Sequence, residues 1–297
     1  MTDDPARPSI AFIGLGIMGG AMAGHLQAAG HTLHLHSRTR AKAERLIAAG
    51  GVWHDDPGDA AAAADLVITM VGLPSDVEGL YLPPGGLVAR ARPGAVLIDM
   101  TTSTPSLAVR IAEAARARGL AALDAPVSGG PQGAQGAKLS IMVGGDAAAF
   151  ELVLPVLQRM GTNIVRQGGP GAGQHCKMSN QVVIAGTIMG VAEGLAYARR
   201  AGLDPALVLQ SIGTGAAGSF QLTANGAAML KGDFAPGFMI EHFVKDMTIA
   251  LAEAEANGLD LVGLKTALAQ YRRLLADGLG REGTQALAKA YAAPAAG

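Results

Sequence analysis

The stretch Ser9-Ile10-Ala11-Phe12-Ile13-Gly14-Leu15-Gly16-Ile17-Met18-Gly19 decides the fold. Ser9 to Ile13 reads as a short β-strand, and the residues from Met18 to Ala29 have helical spacing and stop at Gly30. Between them lies G-x-G-x-x-G. The first glycine permits a tight turn, the second lets a pyrophosphate approach the backbone, and the third allows helix to pack on strand, with the phosphates over the helix N-terminus. A chain with 42 glycines produces this spacing by chance. Its position after a strand and at the opening of a helix instead marks Gly14, Leu15, Gly16, Ile17, Met18 and Gly19 as a dinucleotide cradle.

Outward from this unit the alternation continues. A second strand is expected over 32–36, a helix over 40–49, and further strands over 66–71, 95–100, 121–123 and 139–143. Apolar strands separated by helices predict a doubly wound, mostly parallel sheet covered on both faces. Beyond Phe150 the β-type runs nearly cease, apart from 163–166, and helices are expected over 172–201, 204–213, 218–231, 241–257 and 260–277. The breaker cluster Gly168-Gly169-Pro170-Gly171 predicts two domains, 1–168 and 169–297. The helix that follows is nearly uncharged, so it should run between domains or between subunits and should make the protein a homo-oligomer.

Composition bounds the function. The 297 residues are 49% hydrophobic, and 23 basic side chains balance 24 acidic ones, which argues against a nucleic-acid partner. The longest apolar run is interrupted by Ser179, Asn180, Gln181, Gly186 and Thr187, which argues against a membrane span. A lone cysteine, Cys176, and an acidic, Pro-bearing start point to a cytoplasmic protein. The Ala-rich end from Ala286 to Gly297 is expected to fray.

Three segments carry chemistry. The second strand ends in Ser37-Arg38-Thr39-Arg40, and no acidic residue occurs between Asp4 and Glu44. The carboxylate that would hold an NAD ribose and repel a 2′-phosphate is therefore missing there. Arg38 and Arg40 offer a 2′-phosphate its counter-charge, so NADP(H) is expected in preference to NAD(H), which stays admissible. In Asp124-Ala125-Pro126-Val127-Ser128-Gly129-Gly130, the glycines free backbone N–H groups to converge on an anion beside the Ser128 hydroxyl, which suits a carboxylate substrate. Lys177 is the only charged side chain between Arg166 and Glu193. It must reach a cleft or be desolvated, which draws its ammonium toward an acid/base range, and Asn180 and Gln181 share its helix face. His34 and His36 share a strand face but lack a third ligand, so no metal is expected. Cys176 reads as a small buried filler.

With these segments in this order, together with Asp99-Met100-Thr101-Thr102 after a strand and Lys245-Asp246-Met247 late in the chain, the sequence resembles the β-hydroxyacid dehydrogenases. This family includes 3-hydroxyisobutyrate dehydrogenase, tartronate semialdehyde reductase and the glyoxylate/succinic semialdehyde reductases. The resemblance runs from Ile10 to about Asn257. It implies an N-terminal Rossmann domain, a long interdomain helix and an all-α C-terminal domain that builds a homodimer or homotetramer. It also implies that Lys177 is the general acid/base, that Asn180 orients the substrate, and that Ser128, Gly129 and Gly130 hold its carboxylate. Leu73, Pro74 and Thr102 would line the cofactor. Phe238 and Lys245 would close the site near nicotinamide and substrate, with Asp246 supporting the lysine.

Two departures stand out. Ala137-Lys138-Leu139 replaces the family's frequent Gly-Thr-Leu, and Gln181 stands where many members have asparagine. The activity implied is interconversion of a small hydroxy acid, 3-hydroxyisobutyrate-like, with its semialdehyde or keto form. Reduction of glyoxylate or succinic semialdehyde is the alternative within the family, and a non-catalytic NADP-binding module the alternative outside it. 6-Phosphogluconate dehydrogenase has a far longer helical domain. Imine reductases usually lack a lysine at the position of Lys177.

Overall fold

The structure, a computed structural model, describes residues 7–291. It divides into two compact units between Lys177 and Met178. The division falls inside a continuous helix rather than at the glycine cluster before it, because the first turns of that helix pack with the first unit.

The strands are β1 (Ile10–Ile13), β2 (Leu33–His36), β3 (Val52–Trp53), β4 (Leu66–Thr69), β5 (Val96–Asp99), β6 (Ala121–Asp124), β7 (Val127–Ser128), β8 (Leu139–Gly144) and β9 (Gly161–Gly168). They form one sheet in the order β3-β2-β1-β4-β5-β6-β8-β7, with β9 beside β8. The pairs from β3 to β6 and the β8–β9 pair are parallel, while β8 runs antiparallel to β6 and β7. The doubly wound expectation holds, and the Gly-rich turn leaves β1 where the strand order reverses.

The first unit's helices are α1 (Ile17–Ala28), α2 (Glu44–Ala48), α3 (Pro57–Ala62), α4 (Pro74–Tyr81), α5 (Leu87–Arg90), α6 (Pro105–Arg116), α7 (Gly130–Gln135) and α8 (Ala147–Leu157). Alternation along β1 explains why both faces are sealed: Ile10 and Phe12 enter one core with Met22 and Leu26 of α1, and Ala11 and Ile13 enter the other with Val77, Leu107 and Ile111. The helix expected over 40–49 is instead a 3₁₀ turn, Arg40–Ala43, followed by the short α2. β7 lies in the Asp124–Gly130 segment, where the sequence predicts no strand. It pairs with β8, Ser128 opposite Ser140.

Helix α9 (Ala172–Arg200) leads into the second unit, with α10 (Pro205–Ile212), α11 (Ala227–Lys231), α12 (Ile240–Ala256) and α13 (Val262–Ala276). The helix expected over 218–231 begins as a π-helical turn, Gln221–Gly226. Ile188, Val191 and Leu195 of α9 pack with Phe243 and Met247 of α12 and Leu268 and Tyr271 of α13. α9 is long and apolar enough to cross a membrane by length and composition, as core helices of soluble proteins also are. It is not buried all round, because Val183 is 64% and Tyr197 74% exposed. The fraying expected from Ala286 is corrected over 286–291: Thr284–Tyr291 is a 3₁₀ helix with Ala286 and Leu287 fully buried, and Tyr271 Oη donates to Thr284 O at 2.7 Å. The rest of that expectation, 292–297, lies outside the described residues.

At the C-terminal ends of the central strands, Thr69, Asp99 and Asp124 stand in register across β4, β5 and β6. Tyr81 Oη donates to Thr69 Oγ1 at 2.9 Å, and Thr69 Oγ1 donates to Asp99 Oδ1 at 2.8 Å. Thr101 N also donates to that oxygen, at 3.1 Å, so the network anchors the start of the loop after β5. Burial outweighs these donors and pushes the Asp99 carboxyl from 3.8 up to about 6. A carboxyl raised in this way loses stability for the fold as pH climbs from about 4 through about 6, because the unfolded chain releases the proton first. Asp99→Asn keeps the acceptor oxygen and removes the charge. Its melting temperature relative to the unmodified protein is expected to rise between pH 5 and pH 8. A pH-independent difference in thermal melts would refute the buried charge.

Candidate active site

The Gly-rich turn fits a dinucleotide phosphate by its backbone. Gly14 has φ +97°, a left-handed value, and a Cβ there would strike Met70 O. A Cβ on Gly19 would strike Gly14 O and approach the Phe12 ring to 3.1 Å, so this glycine sets how closely α1 rests on β1. Gly16, by contrast, has nothing within 4 Å of a Cβ position, and as N-cap of α1 it offers no side-chain cap to the first-turn amides. Those donors are free to meet an anion.

Ser37 Oγ lies 3.4 Å from Leu15 N, which brings the end of β2 to the turn. Arg38 is 86% exposed and faces Asp76 at 3.8 Å, a carboxylate 38 positions further along the chain that sequence reading missed. Arg40 does not stand beside it as a second free charge. Its guanidinium lies 5.4 Å from the centre of the Trp53 ring, which also stacks with His36. Thr39 starts the 3₁₀ turn. Leu73 caps α4, Pro74 follows at its first position, and Asp76 Oδ2 accepts from Leu73 N at 3.1 Å. Val71 N donates to Thr101 Oγ1 at 3.0 Å, joining the loop before Leu73 to the loop that carries Thr102. All these positions lie beyond the C-terminal ends of parallel strands, where open α/β sheets bind ligands.

The Ser128 segment leaves the same edge. Gly129 and Gly130 have φ +129° and +60°, and Gly130 opens α7 two residues after Ser128. Lys177 is 7% exposed, and its Nζ donates to Val127 O at 2.9 Å, one residue from Ser128. The isolated lysine of the sequence is thus brought to the serine and glycines within the first unit. Ala137 is the one described non-glycine residue at positive φ, +51°. The departure from glycine there costs about 1 kcal/mol of backbone strain.

The second unit holds the remaining candidates. Asn180 Nδ2 donates to Gln181 Oε1 at 2.7 Å, Gln181 Nε2 donates to Asp246 Oδ2 at 2.6 Å, and Lys245 Nζ pairs with Asp246 Oδ1 at 3.1 Å. Gln181 therefore works as a link between Asn180 and the buried Asp246, a role with no sequence signal beyond its amide. Phe238 stacks obliquely on Phe243, ring centres 5.5 Å apart. Among the described residues no group of three His, Cys, Asp or Glu side chains is placed to hold a metal ion.

Two family models match the chain in succession: the NAD binding domain of 6-phosphogluconate dehydrogenase over residues 9–169, and NAD-binding of NADP-dependent 3-hydroxyisobutyrate dehydrogenase over 171–291. A probable 3-hydroxyisobutyrate dehydrogenase-like protein of Arabidopsis thaliana is 46% identical over 95% of this chain and 85% of its own. The 2-hydroxy-3-oxopropionate reductase of Escherichia coli is 39% identical over 91% of this chain and 92% of its own. The structure of Mycobacterium tuberculosis 3-hydroxyisobutyrate dehydrogenase with L-serine superposes with a TM-score of 0.89, at 31% identity, covering 97% of this chain and 100% of that one. With a glycine turn shaped for a dinucleotide and a buried lysine beside Ser128, these matches show that the chain belongs to the β-hydroxyacid dehydrogenase family of NAD(P)-dependent oxidoreductases.

Proposed function

We propose that the protein interconverts a small hydroxy acid, 3-hydroxyisobutyrate-like, with its semialdehyde or keto form, using NADP(H) in preference to NAD(H). The observation that carries this reading is the placement of Lys177, which is buried with Nζ 2.9 Å from Val127 O and hence beside Ser128. Bound NADPH would supply the hydride. The Ser128 hydroxyl and the Gly129 and Gly130 amides hold the substrate carboxylate. Lys177 Nζ gives a proton to the carbonyl oxygen during reduction and takes the hydroxyl proton during oxidation. Asn180, held by Gln181, orients the reacting oxygen, and Phe238 and Lys245 contribute to binding substrate and cofactor.

The cofactor preference rests on Arg38. Its guanidinium is exposed and only loosely paired with Asp76, so it is free to turn to a 2′-phosphate. Arg40 contributes less than expected because of its place on Trp53. Val183 and Tyr197 of α9, with Leu203, Leu207 and Phe220 of the same unit, are exposed apolar side chains, and on them we place a homodimer or homotetramer contact.

Lys177→Ala is expected to lower kcat by about 10²- to 10⁴-fold, the range of general acid/base catalysis, with the NADPH dissociation constant nearly unchanged. Full turnover in that variant would end the assignment. Arg38→Ala should weaken NADPH about tenfold, the scale of one charge-assisted hydrogen bond, and leave NADH nearly unaffected. Equal losses for the two cofactors in fluorescence titrations would remove the NADP(H) preference.

A further inference from the structure

Helix α9 begins without a cap of its own. Other helices take theirs from the residue just before them: Asp56 for α3, Thr104 for α6, Asp146 for α8 and Asp204 for α10. The residues before α9 are Gly169-Pro170-Gly171, which have no side-chain acceptor. The acceptor comes instead from Asp124, at the end of β6. Gly171 N donates to Asp124 Oδ1 at 2.8 Å and Gln174 N donates to Asp124 Oδ2 at 2.8 Å, contacts that span 47 and 50 residues.

The surroundings are built to let this carboxylate in. A Cβ on Gly144 would lie 2.5 Å from Asp124 Oδ1 and 2.6 Å from Gly173 N, and one on Gly173 would lie 2.6 Å from Asp124 O. Strands β6 and β8 and the first turn of α9 thus meet with no side chain but Asp124 between them. Gln174, fully buried, then ties the same turn to the loop after β5. Its Nε2 donates to Thr101 O at 2.8 Å, and its Oε1 accepts from Ser103 N at 2.9 Å. Gln174 precedes Lys177 by three residues on one helix face, and the segment that starts at Asp124 supplies the Val127 carbonyl that receives Nζ.

Burying a carboxylate carries a desolvation penalty, and a neutral cap at the helix itself would satisfy the amides at less cost. What a local cap lacks is the connection. We infer that Asp124 and Gln174 are positioning residues for the proposed reaction: together they fix the first turn of α9, and so Lys177 Nζ, against both the Ser128 segment and the Thr101–Ser103 loop. The inference rests on Lys177 being the acid/base group.

The experiment is a double-mutant cycle of Asp124→Asn and Lys177→Ala in the full-length enzyme. Asp124→Asn replaces one acceptor oxygen with an amide donor facing a backbone N–H. It should lower kcat about ten- to hundredfold while KM and the NADPH dissociation constant stay within about threefold, and the D2O effect on kcat should grow as proton transfer becomes limiting. In the Lys177→Ala background the same substitution should change the residual rate less than about threefold. A similar loss in both backgrounds, or an unchanged kcat in Asp124→Asn, overturns the positioning role alone. Full activity of Lys177→Ala overturns the acid/base reading and this inference with it. If Asp124→Asn does not fold, Gln174→Met, which keeps both backbone bonds to the carboxylate, enters the same cycle with the same expected non-additivity.

Discussion

A parallel sheet buried on both faces has few places for polar chemistry. In β1, β4, β5 and β6 the strands give their side chains to one of two apolar cores, until Thr69, Asp99 and Asp124 end β4, β5 and β6 in register. Polar groups gather at that edge because the backbone there is released from the ladder and can be met by helix amides, hydroxyls and loops. The glycine turn after β1, the Thr101–Ser103 loop and the Ser128 segment all leave it. Packing in the sheet's interior therefore sets the relative positions of the groups that would hold phosphate, nicotinamide and carboxylate.

The same edge concentrates the polar networks that are hardest to satisfy. Asp99 is held by Thr69 and Thr101, and Asp124 by the amides of Gly171 and Gln174 at the start of α9, so each carboxylate serves a neighbouring segment rather than its own strand. Burial raises both acids, and in each case the backbone donors pull the other way. Such groups hold loops in one arrangement because any other leaves a buried charge without donors.

What was legible in the sequence was what local pattern dictates. Short apolar runs alternating with helical segments marked most of the strands, G-x-G-x-x-G marked the cradle, and a lysine alone in 26 residues marked the strongest candidate for acid/base work. The illegible parts are of two kinds. Some are too short to have a period: β7 has two residues, and the 3₁₀ turn at Arg40–Ala43 looks like the opening of an α-helix. Others join residues far apart in the chain. Asp76 beside Arg38, Trp53 beneath Arg40, and Asp124 on the amides of Gly171 and Gln174 depend on strand order, which no single segment encodes. The closing stretch misled for a third reason: alanine repeats suggest fraying, yet Ala286 and Leu287 are apolar and enter the core of the second unit.

The central claim is that a carboxylate-bearing hydroxy acid or semialdehyde is oxidised or reduced beside Lys177. It is tested most directly by nicotinamide absorbance in steady state, with short hydroxy acids and semialdehydes assayed in parallel against their methyl esters, each with NADP(H) and NAD(H). The account predicts turnover of at least one free acid, higher kcat/KM with NADP(H), and a loss of two or more orders of magnitude on esterification. Turnover of the ester as fast as the acid, or tight NADPH binding with no turnover of any member, would contradict it.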